Sequence, residues 1–413
     1  MMNEYVFQQL WAKHALSLND IFTTEGEQIH IIKPGTLNVD QGADFKNAHI
    51  KIGNTEWFGN IELHIRTSDW FRHGHDTDTN YRNIILHVVW KHDVGNFEVC
   101  PVLELGMIFK RIQEVMPDPL THSGLACATV GSRSITEYSD WVDKWVMMRM
   151  ERKLNHFLTM IDQSKGDIEQ VAWVMLVRCY GYKVNADCFE ELGRTLPIKI
   201  LQCHAGDRLS IEAIMLGLAG LIPQYPTDEY SKRLAEHYSA LKWKYHLTPL
   251  HHRPVFLRMR PSNFPTIRLV QLASMINAHP NIIRKLLSIE HYSAITDLFS
   301  VELTPYWVDH NMPGKTCRPT PKKTGRDLIN AIITNMIMPM RLAIQFRKGV
   351  KCLSPDDFHL LKKIDPDNSS IIRLFSDAGI KPVSAFQSQA LLELYSQKCS
   401  IRDCSECDFI RQQ

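Results

Sequence analysis

Two runs of alternating apolar and polar residues flank a short turn, and they constrain the fold more than any other feature of the chain. The runs are AHIKI (48–52) and EWFGNIELHI (56–65), with Gly53-Asn54 between them. Side chains of a strand alternate between its two faces, and Gly/Asn pairs favour hairpin turns. We therefore predict a β-hairpin with an apolar face and a polar face, the polar one carrying Glu62 and His64.

The segments around the hairpin predict a small domain of helix and sheet. Residues 1–20 have the composition of an amphipathic helix, and a short strand that ends at Pro-Gly is expected at 27–35. Further alternating or apolar runs at 83–90 and 97–105 are typical of strands.

The pattern changes after residue 135 to long stretches with a helical period. Residues 141–161 and 168–181 are two clear examples. The fold class expected is α+β, with a mixed α/β domain at 1–116, a connector rich in Pro, Gly, Ser and Thr at 117–134, and a mostly helical domain at 135–413.

Composition excludes few function classes. The 413 residues are 44% hydrophobic and 22% charged, which is typical of globular domains, and the formal net charge of +2 neither requires nor excludes a polyanionic partner. No run of about 18 to 20 apolar residues is apparent, and the N-terminus lacks the features of a signal peptide. We expect a cytoplasmic protein with no membrane segment.

An acidic residue precedes the hairpin at the point where the first strand begins. Asp44 closes the segment VDQGAD (39–44) and can lie near Glu62 across the hairpin. The order Asp44, then Glu62 and His64, resembles the PD-(D/E)xK nuclease motif. The resemblance implies a restriction-endonuclease-like fold in which the two carboxylates hold Mg²⁺ or Mn²⁺ and the third residue positions or activates a water molecule.

Two positions depart from that motif. Ala43 stands where the motif has proline, and His64 stands where it has lysine. A neutral imidazole can bind a metal or act as a base, but it lacks a permanent positive charge, which Lys46 or Lys51 would have to supply. The alternative is a half-exposed hairpin whose outer face carries Glu62 and His64 because water is there.

A histidine-rich segment follows the hairpin. Residues 68–78 contain His73, His75 and Asp78, which are suitable ligands for a transition metal or could bring a general acid toward the hairpin. The alternative is a solvated loop in which Ser68 or Asp69 caps a helix.

The second domain contains a long segment without acidic residues. No Asp or Glu occurs at 237–289, where the overall frequency would give about six. The cations expected to contact DNA or RNA there, with aromatic residues among them, are Lys242, Lys244, Arg253, Arg258, Arg260 and Arg268. The alternative is that they pair with acids of the first domain or with helix C-termini.

The C-terminus carries cysteines at metal-binding spacing. Cys399, Cys404 and Cys407 form a C-x4-C-x2-C group, which suits zinc or an iron–sulfur cluster if Cys317, Cys352 or a histidine adds a fourth ligand. The alternative is a group of free cysteines.

The runs TLNVDQGADF (36–45), GNIELHIRTSDW (59–70) and CSIRDCSEC (399–407) also resemble an uncharacterised bacterial domain-of-unknown-function family over nearly the whole chain. That resemblance implies a shared architecture and no particular reaction. The leading hypothesis is a metal-dependent phosphodiesterase or nuclease acting on DNA or RNA. The alternatives are a non-catalytic nucleic-acid-binding or scaffold protein with a degenerate nuclease-like fold, and a His/Asp metal hydrolase of a small molecule.

Overall fold

The chain divides into two compact units, Met1–Ser123 and Gly124–Gln413. A computed structural model describes residues 4–18, 20–38, 42–78, 81–109, 125, 135, 139–256, 259–350 and 355–401. The first unit contains a mixed sheet and the second is mostly helical, so the predicted α+β class is confirmed. The division between the units falls within the segment predicted as a connector.

The first unit is built on one seven-stranded sheet. Its strands are β1 (Ile21–Phe22), β2 (Gln28–Lys33), β3 (Thr36–Leu37), β4 (Phe45–Ile52), β5 (Thr55–Arg66), β6 (Ile84–Lys91) and β7 (Val102–Glu104), and its helices include α1 (Glu4–His14) and α2 (Asp69–Arg72). The order across the sheet is β1-β2-β4-β5-β6-β7, and β3 also pairs with β4.

The predicted hairpin is present. Strands β4 and β5 are antiparallel, with Ile52 opposite Thr55 on either side of the Gly53-Asn54 turn. The strands expected at 27–35 and 83–90 are confirmed as β2 and β6, whereas the one expected at 97–105 is shorter, because only 102–104 joins the sheet.

Strand β6 joins the sheet parallel to β5. Parallel neighbours cannot be joined by a tight turn, so the chain must cross over one face of the sheet. The crossover runs from residue 67 to residue 83, includes α2 and contains the histidine-rich segment. The register places His87 of β6 directly beside Glu62 of β5.

The two faces of this sheet are covered differently. Phe7 and Trp11 of helix α1 belong to the larger hydrophobic cluster of the unit, which also contains Ile61 and Leu63 of β5. A smaller cluster consists of Trp70, Val89, Phe97 and Val102, with Trp70 contributed by the crossover. The second half of β5 is therefore buried on both faces.

The second unit is a helical assembly around one large core. Its helices are α3 (Ser139–Gln163), α4 (Ile168–Tyr180), α5 (Ala186–Thr195), α6 (Ile198–Cys203), α7 (Arg208–Leu218), α8 (Glu229–Tyr245), α9 (Pro265–Ala278), α10 (Ile282–Ser288), α11 (Tyr292–Leu298), α12 (Arg326–Ile332), α13 (Met338–Arg347), α14 (His359–Lys363), α15 (Ser370–Asp377) and α16 (Ala385–Gln397). A π-helical turn, Ile333–Ile337, joins α12 to α13, and β8 (His310–Met312) pairs with β9 (Lys315–Thr316). The helices predicted at 141–161 and 168–181 are confirmed as α3 and α4.

Within the described part of the chain, one helical stretch, Arg326–Arg347, is long and apolar enough to cross a membrane, although no such segment was predicted. The most apolar window of this stretch is 67% buried inside the protein. A helix in a protein core meets the same criterion, so the stretch alone does not indicate a membrane.

Gly59 allows the close approach of β5 and β6 that brings the two strands into register. A Cβ atom at Gly59 would lie 2.5 Å from Ile85 Cγ2 and 2.8 Å from the Asn83 carbonyl oxygen. We predict that Gly59→Ala lowers the free energy of unfolding by about 1–3 kcal/mol, because the backbone must move to accept the methyl group. Urea denaturation measures the change.

Gly95→Ala is the matched control, because a Cβ atom at Gly95 would meet no atom within 4 Å. Its stability should stay close to that of the wild type. Equal effects of the two substitutions would contradict the importance of close contact at Gly59.

Candidate metal centre

Glu62 and His64 are buried side chains of β5, with 4% and 1% of their surface exposed. Alternation along the strand places them on the face opposite Ile61 and Leu63, as predicted. The crossover segment covers that face, so the interpretation of a solvated polar face is wrong. Buried polar and charged groups require partners.

Two further histidines reach His64 from the crossover. His64 Nε2 lies 3.1 Å from His73 Nδ1. The ring nitrogens that His64, His73 and His75 can offer to a metal all lie within 4.8 Å of one another. His73 is exposed and His75 is half-buried, so the cluster extends from the buried strand to the surface.

The carboxylate of Glu62 faces the same cluster. Its Oε1 atom lies 3.3 Å from His75 Nε2 and 3.7 Å from His64 Nε2. Its Oε2 atom accepts a hydrogen bond of 2.9 Å from the backbone N–H of Asp44. One oxygen of Glu62 is thus held by the chain while the other points to the imidazoles.

Asp44 is next to Glu62, as expected from the hairpin. Its carboxylate accepts hydrogen bonds from the Leu63 backbone N–H (3.0 Å) and from Gln8 Nε2 of α1 (2.8 Å). Burial and the nearby charge of Glu62 raise the pKa of Asp44 to about 7. Asp44 is therefore fixed in orientation from two elements of the fold.

His87 of β6 contacts the other side of the His64 ring. His64 Nδ1 and His87 Nε2 are 2.9 Å apart, and both rings are buried. Burial lowers the pKa of His64 to about 2 and that of His87 to about 3. The two rings are therefore neutral near pH 7, and a neutral imidazole offers a lone pair to a metal.

Four residues near the cluster were not predicted from the sequence: Glu4, Gln8, Tyr81 and His87. Tyr81 stacks on His75 with ring centroids 3.7 Å apart. Burial raises the pKa of Glu4 in α1. Glu4 is also close enough to the cluster for His73 to lower this pKa and for Glu62 to raise it. The parallel register of β5 and β6 and the position of α1 place these residues near the cluster. Neither the register nor the position of α1 follows from the local pattern of the sequence.

The crossover also contains Asp78, predicted as a metal ligand, and Ser68 and Asp69, predicted as alternative helix caps. Asp78 is not among the described residues whose ligand atoms converge with those of His73 and His75. Ser68 occupies the N-cap position of α2, but its side chain makes no capping hydrogen bond and donates to Asp93 instead. Asp69 accepts a hydrogen bond from the backbone of Arg66 and closes the turn into α2.

The predicted cations of the second unit are only partly available to a ligand. Lys242 and Lys244 are exposed at the end of α8, where they flank Trp243, which is 80% exposed. Arg253 and Arg260 are exposed as well. Arg258 lies outside the described residues.

Arg268 does not fit the predicted nucleic-acid contact. It is 4% exposed, and its guanidinium group donates to Gln271, Asn263 and Tyr182. Both terminal nitrogens of Arg268 have internal partners, and its burial keeps the guanidinium group away from a phosphate in solution, because α9 turns this side of its helix into the core.

The cysteine group lies mostly outside the described residues, which include Cys399 but not Cys404, Cys407 or Cys352. Cys399 is half-buried. Cys317 lies 3.7 Å from Lys322 Nζ. The zinc or iron–sulfur site at these cysteines stays a prediction.

Comparison with known proteins places the chain in a family. The sequence model of DUF2851, described as a protein of unknown function, matches residues 4–370. The chain belongs to this family. The match covers all the residues of the histidine cluster and the basic segment of the second unit. Neither the curated proteins nor the solved structures contain a match.

The contact between His64 and His87 should contribute to the stability of the first unit. We predict that His87→Phe lowers the free energy of unfolding by about 1–3 kcal/mol, because it leaves His64 Nδ1 buried without a partner. His87→Gln keeps a hydrogen-bonding group and should cost less. Urea denaturation of both variants tests this, and equal losses would contradict a hydrogen bond between the two rings.

Proposed function

We propose that the first unit binds one divalent transition-metal ion through Glu62, His64, His73 and His75, and uses it to hydrolyse phosphodiesters of nucleic acid. The observation that carries this proposal is the convergence of the imidazoles of His64, His73 and His75 on one another. Two of them, His64 and His75, also lie within 4 Å of one oxygen of the buried carboxylate of Glu62. These side chains come from a strand and from the crossover beside it, so the fold itself gathers them.

The distances between donor atoms suit a shared ion. Ligands at about 2.0–2.2 Å from a tetrahedral ion are roughly 3.3–3.6 Å apart. His64 Nε2 and His73 Nδ1 are separated by 3.1 Å, and Glu62 Oε1 is 3.3 and 3.7 Å from His75 and His64. Imidazole donors favour Zn²⁺ over Mg²⁺, whereas the ions expected here from the sequence were Mg²⁺ or Mn²⁺.

His87 supports this assignment from outside the ligand set. Metal ligation through His64 Nε2 leaves the proton on Nδ1, from which it is donated to His87 Nε2 at 2.9 Å. Histidine ligands usually donate their second nitrogen in this way, and the partner fixes both tautomer and orientation.

The chemistry proposed is attack by water on phosphorus. An ion held by Glu62, His64, His73 and His75 would lower the pKa of a bound water molecule and would stabilise charge on the phosphate. The water oxygen forms a bond to phosphorus, the bond to the leaving nucleoside oxygen breaks, and that oxygen takes up a proton. Asp44, beside Glu62, is the carboxylate we assign to accept the proton of the water.

The sheet and the second unit support a nucleic-acid substrate. Strands β4 and β5 form an antiparallel pair and β6 follows parallel to β5. We infer a restriction-endonuclease-like arrangement, with Asp44, Glu62 and His64 in the three motif positions. The exposed Lys242, Trp243 and Lys244 add cations and a stacking surface.

A small-molecule hydrolase is the weaker candidate, because it required Asp78 to join His73 and His75. Asp78 is absent from the convergent group within the described residues. A non-catalytic nucleic-acid-binding or scaffold protein is the outcome expected if metal and nucleic acid bind without cleavage.

We predict that the purified full-length chain cleaves nucleic acid in the presence of Zn²⁺ or Mn²⁺, and that Glu62→Gln and His73→Ala each reduce cleavage at least about 100-fold by removing a metal ligand. Gel assays with single-stranded, duplex and branched substrates measure the rate. Metal content after dialysis should fall in the same two variants.

His92→Ala is the matched control, because His92 lies in the same unit and contacts Thr67 rather than the cluster. Its cleavage and metal content should equal those of the wild type. Unchanged cleavage in Glu62→Gln would overturn the proposed site, and metal binding without cleavage of any substrate would overturn the reaction.

The exposed cations of α8 generate a separate prediction. Replacing both Lys242 and Lys244 by alanine should weaken binding to nucleic acid. The logarithm of the association constant falls with the logarithm of the salt concentration, and the steepness of this fall should decrease by roughly two, since each phosphate contact contributes about 0.7–0.9. Fluorescence anisotropy over a salt series measures the slope. The matched control is the double variant Lys232→Ala and Arg233→Ala, on the same helix next to Glu229 and Glu236. This variant should leave the salt dependence unchanged. Equal effects of the two double variants would contradict a binding surface localised at Lys242 and Lys244.

A further inference from the structure

The face of β5 that carries Glu62 continues toward the hairpin turn and becomes exposed there. Phe58 precedes Glu62 by four residues, so alternation places the two side chains on one face, about 13 Å apart along the strand. Phe58 is 67% exposed. A large apolar ring thus lies in solvent on the face of β5 that carries the proposed metal centre.

The ring of Phe58 is already held on one side. His49, directly opposite on β4, stacks against it with ring centroids 4.0 Å apart and an interplanar angle of 20°. His49 Nε2 in turn contacts Glu56 Oε2 at 2.9 Å. One surface of the Phe58 ring packs on His49, so the exposed part of Phe58 is mainly the opposite surface of the ring. That surface is open to a planar ligand.

Two lysines, Lys33 and Lys51, lie on the same face of the sheet as this pair of rings. Strand β2 places Lys33 opposite His49, and it places His30 opposite Lys51. Lys33 and His30 are exposed, and Lys51 is half-buried. Glu56, an acid on the same face, lies opposite Lys51 in the register of β4 and β5 and contacts His49. The ligand that complements this surface is therefore planar, aromatic and negatively charged.

We infer that the stacked rings of Phe58 and His49 bind an unpaired base of single-stranded nucleic acid, whose backbone then follows β5 toward the metal centre. This inference rests on the proposed function and names its substrate class. Only an unstacked base can lie flat on an exposed ring, since the bases of a duplex are covered by their neighbours. Lys33 and Lys51 are the side chains assigned to the phosphates.

The test measures binding without cleavage. The full-length protein is titrated in EDTA against fluorescent single-stranded DNA, single-stranded RNA and duplex DNA of matched length. We expect single strands to bind more tightly than the duplex, Phe58→Ala to weaken single-strand binding about tenfold or more, and Phe58→Trp to retain it. Preference between DNA and RNA identifies the sugar.

Trp57→Ala is the matched control. Trp57 is the neighbouring aromatic residue, 39% exposed, and alternation places it on the opposite face of β5. It should change single-strand affinity less than twofold. Thermal unfolding of each variant shows that the fold is retained.

Equal single-strand affinity of Phe58→Ala and the wild type would overturn the inference, as would equal binding of duplex and single strand. The two proposals fail separately. If Glu62→Gln abolishes cleavage while Phe58→Ala binds normally, only the stacking surface is wrong. If Phe58→Ala weakens binding while Glu62→Gln cleaves normally, only the metal centre is wrong.

Discussion

The buried carboxylate of Glu62 is the constraint on which the first unit depends. Moving an ionised carboxylate out of water costs several kcal/mol unless hydrogen bonds and an opposite charge compensate for it. The Asp44 backbone N–H satisfies one of its oxygens, and the other faces His64 and His75. Within the described residues no lysine or arginine forms an ion pair with Glu62. A bound cation would supply the missing charge, and this is the physical basis of the proposed metal centre.

The topology of the sheet explains why the centre forms where it does. A parallel neighbour for β5 requires a crossover, and this crossover carries His73 and His75 over the face that holds Glu62 and His64. Close packing at Gly59 keeps β6 against β5, which places His87 behind the His64 ring. Nearer the turn, outside the crossover, the same face remains open at Phe58. One strand thus carries both the buried centre and the exposed stacking surface.

Much of this arrangement follows from local patterns in the sequence. The hairpin was predicted because alternation and turn residues are local signals, and the contact between Asp44 and Glu62 followed from it. The helices α3 and α4 were predicted because their apolar residues recur at the helical period over many turns. The histidine-rich segment was recognised by its composition and its closeness in sequence to His64.

The environments of several side chains depend on contacts between segments that are distant in the sequence. Local patterns in the sequence do not reveal such contacts. Polar residues at alternate positions left a solvated face open as an alternative for Glu62, whereas the crossover buries it. His87 occupies an ordinary strand position, and only the parallel register makes it the partner of His64. Arg268 shares its basic character with Lys242, but α9 directs it into the core. In each case tertiary contacts determine the environment of the side chain.

X-ray absorption spectroscopy of the full-length protein loaded with one equivalent of Zn²⁺ tests the central claim most directly. We predict a shell of nitrogen and oxygen ligands at about 2.0–2.2 Å, with the outer-shell scattering of imidazole rings, and a weaker imidazole signal in His73→Ala, in which two of the three imidazoles remain. A sulfur shell at about 2.3 Å would place the ion at the C-terminal cysteines instead. That result, or a spectrum without imidazole scattering, would contradict a metal centre at Glu62, His64, His73 and His75.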